Sequence, residues 1–121
     1  MGLLRAAGLL VSPLSTFEHY QKNDAWTWEH QALIRARAVS GDPAVVQRFN
    51  EIRHEVLCQP RDEAKLRAEV AEMRQKMRVQ LDKSDAEWFD LKQGVGGLVD
   101  IEFLVQFSVL RWANQHPELT Q

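Results

Sequence analysis

A glycine-rich segment ahead of a predicted helix is the part of this sequence best suited to bind an anion. Gly94, Gly96 and Gly97 follow Lys92, and an apolar helical pattern begins at Leu98. The first N–H groups of a helix lack intrahelical acceptors, so a helix start can hold a phosphate or a carboxylate, and Lys92 would add a positive charge. A tight turn that needs the conformational freedom of glycine explains the same residues equally well. Both interpretations stay open.

The second predicted helix carries two further candidates, Arg35 and Arg37. Trp26 and Trp28 lie two residues apart on this helix and therefore point about 200° away from each other. Bulky groups on both faces indicate that the helix lies between two neighbours, which leaves its arginines little room. They either extend along apolar surface to reach water or face a ligand that carries phosphate.

Other chemical motifs are weaker. Glu51 and His54 have the Glu-x-x-His spacing of di-iron bundles, which require a second copy that this sequence lacks. Cys58 follows His54 by one helical turn, but no third group orients the pair for nucleophilic catalysis. Asp100 and Glu102 lie about 200° apart around a helix, so they cannot chelate one metal ion together. The sequence therefore predicts no catalytic and no metal-binding residue in this chain.

Five predicted helices must position these candidates. Capping residues, proline and glycine breaks and apolar periodicity predict them at about residues 16–22, 25–38, 43–57, 62–83 and 98–114. Ser15 and Glu18 have the spacing of a capping box for the first helix. Asp42 and Asp62 are predicted to cap the third and fourth helices, and residues 89–92 are predicted to be extended.

The fifth predicted helix is apolar on most of its faces. Such a helix must be buried centrally or covered by a partner that this chain does not contain. Strand patterns are almost absent, and short turns join the successive helices. The fold class is therefore predicted to be all-α, an antiparallel up-and-down bundle of four to five helices.

Composition and charge exclude several classes of protein. The chain has 121 residues, of which 45% are apolar and 26% charged, with a net charge of −2. A charge so near zero gives no broad attraction to nucleic acid or to an anionic membrane, and no apolar run approaches the roughly 18 residues that span a bilayer. One cysteine cannot form an internal disulfide, which is typical of a reducing compartment. We expect a cytoplasmic protein without nucleic-acid or membrane partners.

Two long runs of this sequence resemble bacterial glutamine synthetase adenylyltransferases. The first spans residues 20–37 and contains Trp-Thr-Trp-Glu-His, and the second spans residues 89–106 and contains Val-Asp-Ile-Glu-Phe. Between them, the segment Met-Arg-Gln-Lys-Met-Arg at residues 73–78 lies where that family has a similar segment. The resemblance extends over nearly the whole chain, and the wording of both runs is that of the family's C-terminal, transferring unit.

This resemblance implies a fragment of an enzyme that transfers AMP from Mg-ATP to a tyrosine of glutamine synthetase and so regulates nitrogen assimilation. It implies a polymerase-β-like catalytic domain upstream, with residues 1–13 as its remnant and residues 14–121 as a helical bundle domain. Family members bind magnesium through Gly-Ser and Asp-x-Asp motifs, which this sequence lacks. Mg²⁺ and ATP are therefore expected in the intact parent, and the fragment alone is expected to be inactive.

The resemblance also implies partners and a position for the candidate residues. The partners are glutamine synthetase, the PII signalling protein and the upstream catalytic domain. The helical domain would help to shape the nucleotide or protein-substrate site. We expect the residues that face this cleft at the entrance of the fifth helix to be Lys92, Gly94, Gly96 and Gly97, with Arg35 and Arg37 behind them.

Two alternatives stay open. The chain would be a free-standing helical interaction or dimerisation module if its apolar fifth helix pairs with itself or with another protein. A lost catalytic domain should leave an exposed apolar patch near residues 3–11 and along one helix face. Dimerisation that hides this patch would either favour the module or simply compensate for the lost domain. The other alternative is the family's adenylyl-removing unit, which the wording of the motifs disfavours.

Overall fold

The computed structural model describes residues 11–121, and these form five α-helices and one short 3₁₀ helix without any strand. The helices are α1 Leu14–Asn23, α2 Thr27–Leu33, α3 Pro43–Leu57, α4 Glu63–Leu81, α5 Leu98–Trp112 and the C-terminal 3₁₀ helix Pro117–Thr120. The predicted all-α helical bundle is confirmed. Of the predicted catalytic-domain remnant, residues 1–10 lie outside the described residues.

The short helix α2 lies at the centre of the bundle, where it contacts α3, α4 and α5. The longer helices pack around it, with α1 against α3 and α4 against α5. Seven buried apolar side chains contributed by α2, α3, α4 and α5 form the core: Leu33, Ile52, Val56, Leu57, Leu66, Val70 and Leu110. The apolar spacing of α3 and α4 therefore corresponds to the faces that these helices bury.

Aspartate side chains begin α3 and α4 as predicted. Asp42 accepts the backbone N–H of Ala44 at 2.8 Å, and Pro43 occupies the first helical position. Asp62 accepts the backbone N–H of Lys65, also at 2.8 Å. Each carboxylate satisfies an N–H group that has no acceptor within the helix, so local sequence alone determines where both helices begin.

The predicted capping box at Ser15 and Glu18 is wrong. Helix α1 begins earlier, because the carbonyl of Pro13 already accepts two N–H groups of the first turn. The Glu18 carboxylate instead binds Lys22 of its own helix and Arg48 of α3. Two cations outweigh one backbone N–H as partners for a carboxylate, so the side chain turns away from the helix start.

The second helix is shorter than predicted and ends at Leu33, not near residue 38. The buried guanidinium of Arg53 on α3 donates to the carbonyls of Leu33 and Ile34, at 3.1 and 2.6 Å. Arg37 also donates to the Ile34 carbonyl, at 2.8 Å. These carbonyls would accept the next N–H groups of a longer helix. Arg53 and Arg37 therefore take the place of helical N–H groups at the end of α2, and the Leu33 carbonyl also accepts the Ala36 N–H, at 3.1 Å, in the turn that follows.

Helix α5 buries only part of its apolar surface in the described bundle. Val99, Val109 and Leu110 point inward and are buried. Five large apolar side chains are 41% to 65% exposed, and together they are named here the outer face of α5: Leu98, Ile101, Leu104, Val105 and Trp112. Residues 11–121 therefore do not bury this helix centrally, which was the first of the two predicted possibilities.

Within residues 11–121, no helix combines the length and the apolarity that crossing a membrane would require.

Candidate functional site

The glycine segment before α5 is a series of turns closed by its own backbone. Asp90 starts the first turn, because its carboxylate accepts the N–H groups of Lys92 and Gln93 at 3.0 and 2.9 Å. The Gly94 N–H donates to the Asp90 carbonyl at 2.8 Å. The prediction that residues 89–92 are extended is therefore wrong from residue 91 onward, because the Asp90 side chain and carbonyl together fold the backbone into a turn.

The three glycines of this segment are each required by the turn geometry. Gly96 has a φ of +79°, which side chains other than glycine rarely adopt. A Cβ atom at Gly94 would lie 2.6 Å from the Asp90 carbonyl oxygen, and one at Gly97 would lie 2.6 Å from that of Leu91. The tight-turn interpretation thus accounts for all three glycines without a ligand.

The backbone N–H groups from residue 96 to residue 99 already have acceptors within the chain. Those of residues 97, 98 and 99 donate to the carbonyls of Gly94, Leu91 and Lys92 at 2.9 to 3.0 Å. The Gly96 N–H donates to the carboxylate of Asp100 at 2.7 Å. In this arrangement the start of α5 offers none of these four donors to an external anion, so the geometry favours the tight-turn interpretation over the anion site.

A cluster of two arginines on α4 holds this turn against the bundle. The buried Arg74 binds the Asp100 carboxylate and donates to the Gln93 carbonyl at 2.6 Å. Arg78 donates to the same carboxylate at 3.1 and 3.3 Å. The Gly96 N–H and then Arg74 lower the pKa of Asp100 from about 3.8 to about 2. We name Arg74, Arg78, Gln93, Gly96 and Asp100 the Asp100 cluster.

The Asp100 cluster was not predicted from the sequence, from which we concluded only that Asp100 and Glu102 cannot chelate one metal ion together. Its two arginines lie 22 and 26 residues before Asp100. The available signal is an arginine pair one helical turn apart on α4, Arg74 and Arg78, near the inward-facing residues of that helix. A buried arginine requires hydrogen-bond acceptors, preferably a carboxylate. This requirement could have predicted that Arg74 binds an acidic residue at the start of another helix, such as Asp100.

Lys92 keeps its ammonium group exposed at the tip of the turn. The Lys92 side chain makes no hydrogen bond or ion pair with any of residues 11–121, although its backbone N–H and carbonyl are both used in the turn. The Asp100 cluster fixes the backbone beneath it. The arrangement therefore presents a free positive charge on a rigid support, which suits contact with a negatively charged group.

The structure separates the two arginine candidates. Arg35 forms an ion pair with Glu102 on α5, so it lies close to the first turns of that helix. Arg37 folds back on its own segment, where it donates to the carbonyls of Ile34 and Ala36, each at 2.8 Å. Neither guanidinium hydrogen-bonds to residues 90–97 within the described part of the chain, so the six candidates do not form one contiguous cluster.

An open groove of about 430 Å³ lies between α2, α4 and α5. Arg35 and Glu102 border it, and the apolar side chains of Trp28 and Phe103 line it. Two glutamine amides also contribute to its lining, and they hydrogen-bond to each other at 3.0 Å: Gln31 and Gln106. This combination of apolar walls and a few polar groups is typical of small-ligand sites.

The sequence indicated neither glutamine as a site residue. Gln31 and Gln106 are almost fully buried, and the Oε1 atom of Gln31 has no hydrogen-bond partner in the described residues. A polar residue on an otherwise apolar helix face is the signal that could have found them, because a buried amide needs partners. Gln106 stands among apolar residues on α5, and Gln31 follows Trp28 by three positions on α2.

The described residues do not fit a magnesium-nucleotide site. No three carboxylate, histidine or cysteine side chains among residues 11–121 lie close enough to hold one metal ion. The oxygens of Asp100 bind Arg74, Arg78 and the Gly96 N–H, and the Glu102 carboxylate binds Arg35. Magnesium prefers several free oxygen ligands, which these two side chains do not offer.

Comparison with known proteins agrees with the two sequence runs. The family of glutamate-ammonia ligase adenylyltransferases matches residues 4–52. A relative from Nitrosococcus oceani, named bifunctional glutamine synthetase adenylyltransferase/adenylyl-removing enzyme, is 56% identical over 115 residues, which is 95% of this chain. The chain is similar to members of this adenylyltransferase family over nearly its whole length. The predicted resemblance is therefore confirmed at the level of the family.

Further relatives of the same name extend the match. The one from Vibrio parahaemolyticus is 53% identical over 116 residues, and one from Xanthomonas campestris is 56% identical over 112 residues. They cover 96% and 93% of this chain. In each of these three relatives, however, the matched segment is only 12% of the relative's length. The chain thus spans about one eighth of the family members that it matches.

Proposed function

We propose that this chain is the helical, site-completing part of an enzyme that transfers AMP from ATP to a tyrosine of glutamine synthetase. The observation that carries the proposal is 56% identity over 95% of the chain to a protein named as a glutamine synthetase adenylyltransferase/adenylyl-removing enzyme. Identity at this level over 95% of the chain supports the same role for the matching segment in both proteins.

The described residues would contribute binding and orientation to this reaction. Lys92 would contact a negatively charged group of the nucleotide or of glutamine synthetase, on the support that Gly94, Gly96 and Gly97 allow. Arg35 would line the neighbouring groove, and Arg37 would lie behind it. Mg²⁺ and ATP would be held by a catalytic domain elsewhere in the intact protein, where magnesium neutralises charge on the transferring phosphoryl group. The chain alone would be inactive.

The partners proposed for the intact protein are glutamine synthetase as substrate, the catalytic domain of the same polypeptide, and the PII signalling protein as regulator. No nucleic acid or membrane partner is proposed. The net charge of −2 supports this, because it supplies no general attraction to a polyanion. We also propose that the protein acts in the cytoplasm, where glutamine synthetase would be available to it.

The test must distinguish AMP transfer from AMP removal. The chain is mixed with the catalytic portion of the Nitrosococcus oceani relative and glutamine synthetase, with ATP labelled in the α-phosphate. The transferase proposal predicts label on glutamine synthetase that depends on both protein components. In a parallel reaction, glutamine synthetase that already carries labelled AMP is mixed with inorganic phosphate and the two components. Release of labelled ADP there, without transfer from ATP in the first reaction, would instead identify the removing unit.

Lys92→Gln tests the proposed contact in the same mixture. We expect a several-fold loss of AMP transfer, because one charge-assisted contact would disappear. Lys83→Gln is the matched control, since Lys83 is also exposed and its replacement by glutamine removes the same charge. Equal transfer rates for both variants would show that Lys92 does not face the substrate.

A free-standing interaction module is the second candidate, and the exposed outer face of α5 is the observation that favours it. This candidate predicts self-association of the 121-residue chain with no AMP transfer in any mixture. Sedimentation analysis over a hundredfold concentration range would detect such association. A monomer at all concentrations would exclude dimerisation through this face.

A further inference from the structure

Both backbone polar groups of Lys92 are hydrogen-bonded, although its side chain is free. The Lys92 N–H donates to the Asp90 carboxylate at 3.0 Å, and the Lys92 carbonyl accepts the N–H of Val99 at 3.0 Å. Val99 is a buried residue in the first turn of α5. The position of Lys92 therefore depends on how firmly the preceding turns are attached to the start of that helix.

Arg74 attaches the neighbouring residue of the turn to the same helix. Gln93 follows Lys92 directly and is buried. Arg74 donates to the Gln93 carbonyl at 2.6 Å and to its side-chain Oε1 at 3.3 Å, and it also binds the Asp100 carboxylate. The planar guanidinium presents five donors, so one side chain can bind several acceptors at once. Arg74 thus bridges the turn and the first turn of α5.

The Asp100 carboxylate keeps Arg74 in this position. It is the one carboxylate that binds Arg74 within residues 11–121, and it also accepts the Gly96 N–H at 2.7 Å. A buried guanidinium without a carboxylate partner is unfavourable, so loss of the Asp100 charge would release the bridge. The Asp100 side chain makes no hydrogen bond to Lys92 in the described part of the chain. Its effect on Lys92 therefore passes through the turn.

We infer that Asp100 and Arg74 are positioning residues for AMP transfer, because they hold the backbone of Lys92 where its ammonium group meets the substrate. The inference rests on the proposed function, in which Lys92 contacts a negatively charged group of the nucleotide or of glutamine synthetase. A lysine side chain loses conformational freedom when it binds, and a backbone that is already ordered limits the further loss. Neither positioning residue touches the substrate in this account.

Steady-state kinetics of AMP transfer test the inference. The protein is the Nitrosococcus oceani relative with its matching segment replaced by this chain, and ATP and glutamine synthetase are varied in turn. Lys92→Gln and Asp100→Asn should raise the KM of the same substrate by about threefold or more and change kcat by less than about twofold, as loss of a uniform binding contact does. A purely structural role of Asp100 would lower the amount of active protein, and hence kcat, without changing KM.

The double variant distinguishes positioning from an independent contact. Asp100→Asn should add nothing to the KM of Lys92→Gln, because the side chain that it positions is already gone. Effects on KM that multiply would overturn the inference. Phe49→Leu is the control for stability, since Phe49 packs on Phe17 between α1 and α3, with ring centroids 5.6 Å apart. A similar rise of KM in Phe49→Leu would assign the effect to lost stability and would also overturn the inference.

NMR relaxation of the 121-residue chain measures the positioning without any activity. A rigid backbone has an order parameter near 0.85, and we expect that of the Lys92 N–H to fall by at least about 0.1 in Asp100→Asn. It should not change in Phe49→Leu. Arg78→Gln removes one of the two arginines from the carboxylate and keeps the buried Arg74, so it should give a smaller decrease and serves if Asp100→Asn does not fold. An unchanged order parameter in both Asp100 cluster variants would overturn the inference.

The two measurements together separate this inference from the proposed function. AMP transfer with an unchanged KM in Asp100→Asn would uphold the function and overturn the positioning role. No transfer by the unsubstituted long protein would contradict the function, and with it the role in transfer, while a lowered order parameter would still show that Asp100 orders Lys92.

Discussion

Asp100→Asn should destabilise the chain, because the change removes the only carboxylate that compensates the buried Arg74 guanidinium within the described residues. The Gly96 N–H and the arginines lower the pKa of Asp100 from about 3.8 to about 2. A shift of this size corresponds to at most about 2.4 kcal/mol, at roughly 1.36 kcal/mol for each pKa unit. The side chain is 24% exposed, so solvent screening reduces the expected loss to about 1–2 kcal/mol.

The pH dependence of this loss has a defined sign. The folded state lowers the pKa of Asp100, so the stabilisation is fully present above the unfolded value near 3.8. It is lost as pH falls toward about 2, where the folded carboxylate takes up its proton. The difference in stability between the native chain and Asp100→Asn should therefore be constant from pH 7 to pH 5 and should shrink below about pH 4.

Thermal unfolding followed by circular dichroism measures this difference. At pH 7 we expect the melting temperature of Asp100→Asn to fall by about 3–8 °C, as a loss of this size gives in a domain of about 120 residues. Glu72→Gln is the control, because Glu72 forms an exposed i,i+4 pair with Lys76 that contributes about 0.5 kcal/mol or less. Equal melting temperatures for Asp100→Asn and Glu72→Gln, or a difference that does not change below pH 4, would refute the reasoning.

Three further predictions concern the turn, the buried arginine and the single tyrosine. Gly96→Ala should lower the free energy of unfolding by about 1 kcal/mol, since a φ of +79° is unfavourable for alanine although there is space for its Cβ. Gly94→Ala should lower it further, because its Cβ would overlap the Asp90 carbonyl oxygen. Thermal unfolding measures both changes. Arg53→Met should cost about 1–3 kcal/mol, because the Thr120 carbonyl loses its only donor among the described residues and those of Leu33 and Ile34 each lose one of two, and hydrogen exchange in the C-terminal 3₁₀ helix should accelerate. Burial and the hydrogen bond to Glu29 raise the pKa of Tyr20 to about 12, so absorbance at 295 nm should show no phenolate at pH 10.5, and a normal titration near pH 10 would contradict this environment.

Features set by neighbouring residues could be predicted from the sequence. Asp42 and Asp62 each cap a helix through an N–H two or three residues ahead, so the starts of α3 and α4 depend only on local sequence. The apolar spacing of α3 likewise indicates its buried face, because Ile52 and Val56 lie one helical turn apart and both are almost fully buried. Because such local interactions determine where helices form, the all-α fold class could be predicted from the sequence.

Features set by distant residues could not be predicted in the same way. Helix α2 ends at Leu33 because of Arg53, which is 20 residues further along the chain. Glu18 leaves its predicted capping role because of Arg48, 30 residues away. For the candidate site, the glycines alone allowed both an anion site and a tight turn. The structure distinguishes the two, because the carbonyls of Gly94, Leu91 and Lys92 and the Asp100 carboxylate accept the N–H groups of residues 96–99.

The mass of glutamine synthetase after incubation with Mg-ATP tests the central proposal most directly. Three samples are compared: the 121-residue chain alone, the separately expressed catalytic portion of a relative alone, and the two mixed. The account predicts the addition of AMP only in the mixture, because the described residues provide no set of carboxylates for magnesium. AMP added by the chain alone would contradict the assignment of catalysis to another domain, and no addition in the mixture would contradict the site-completing role.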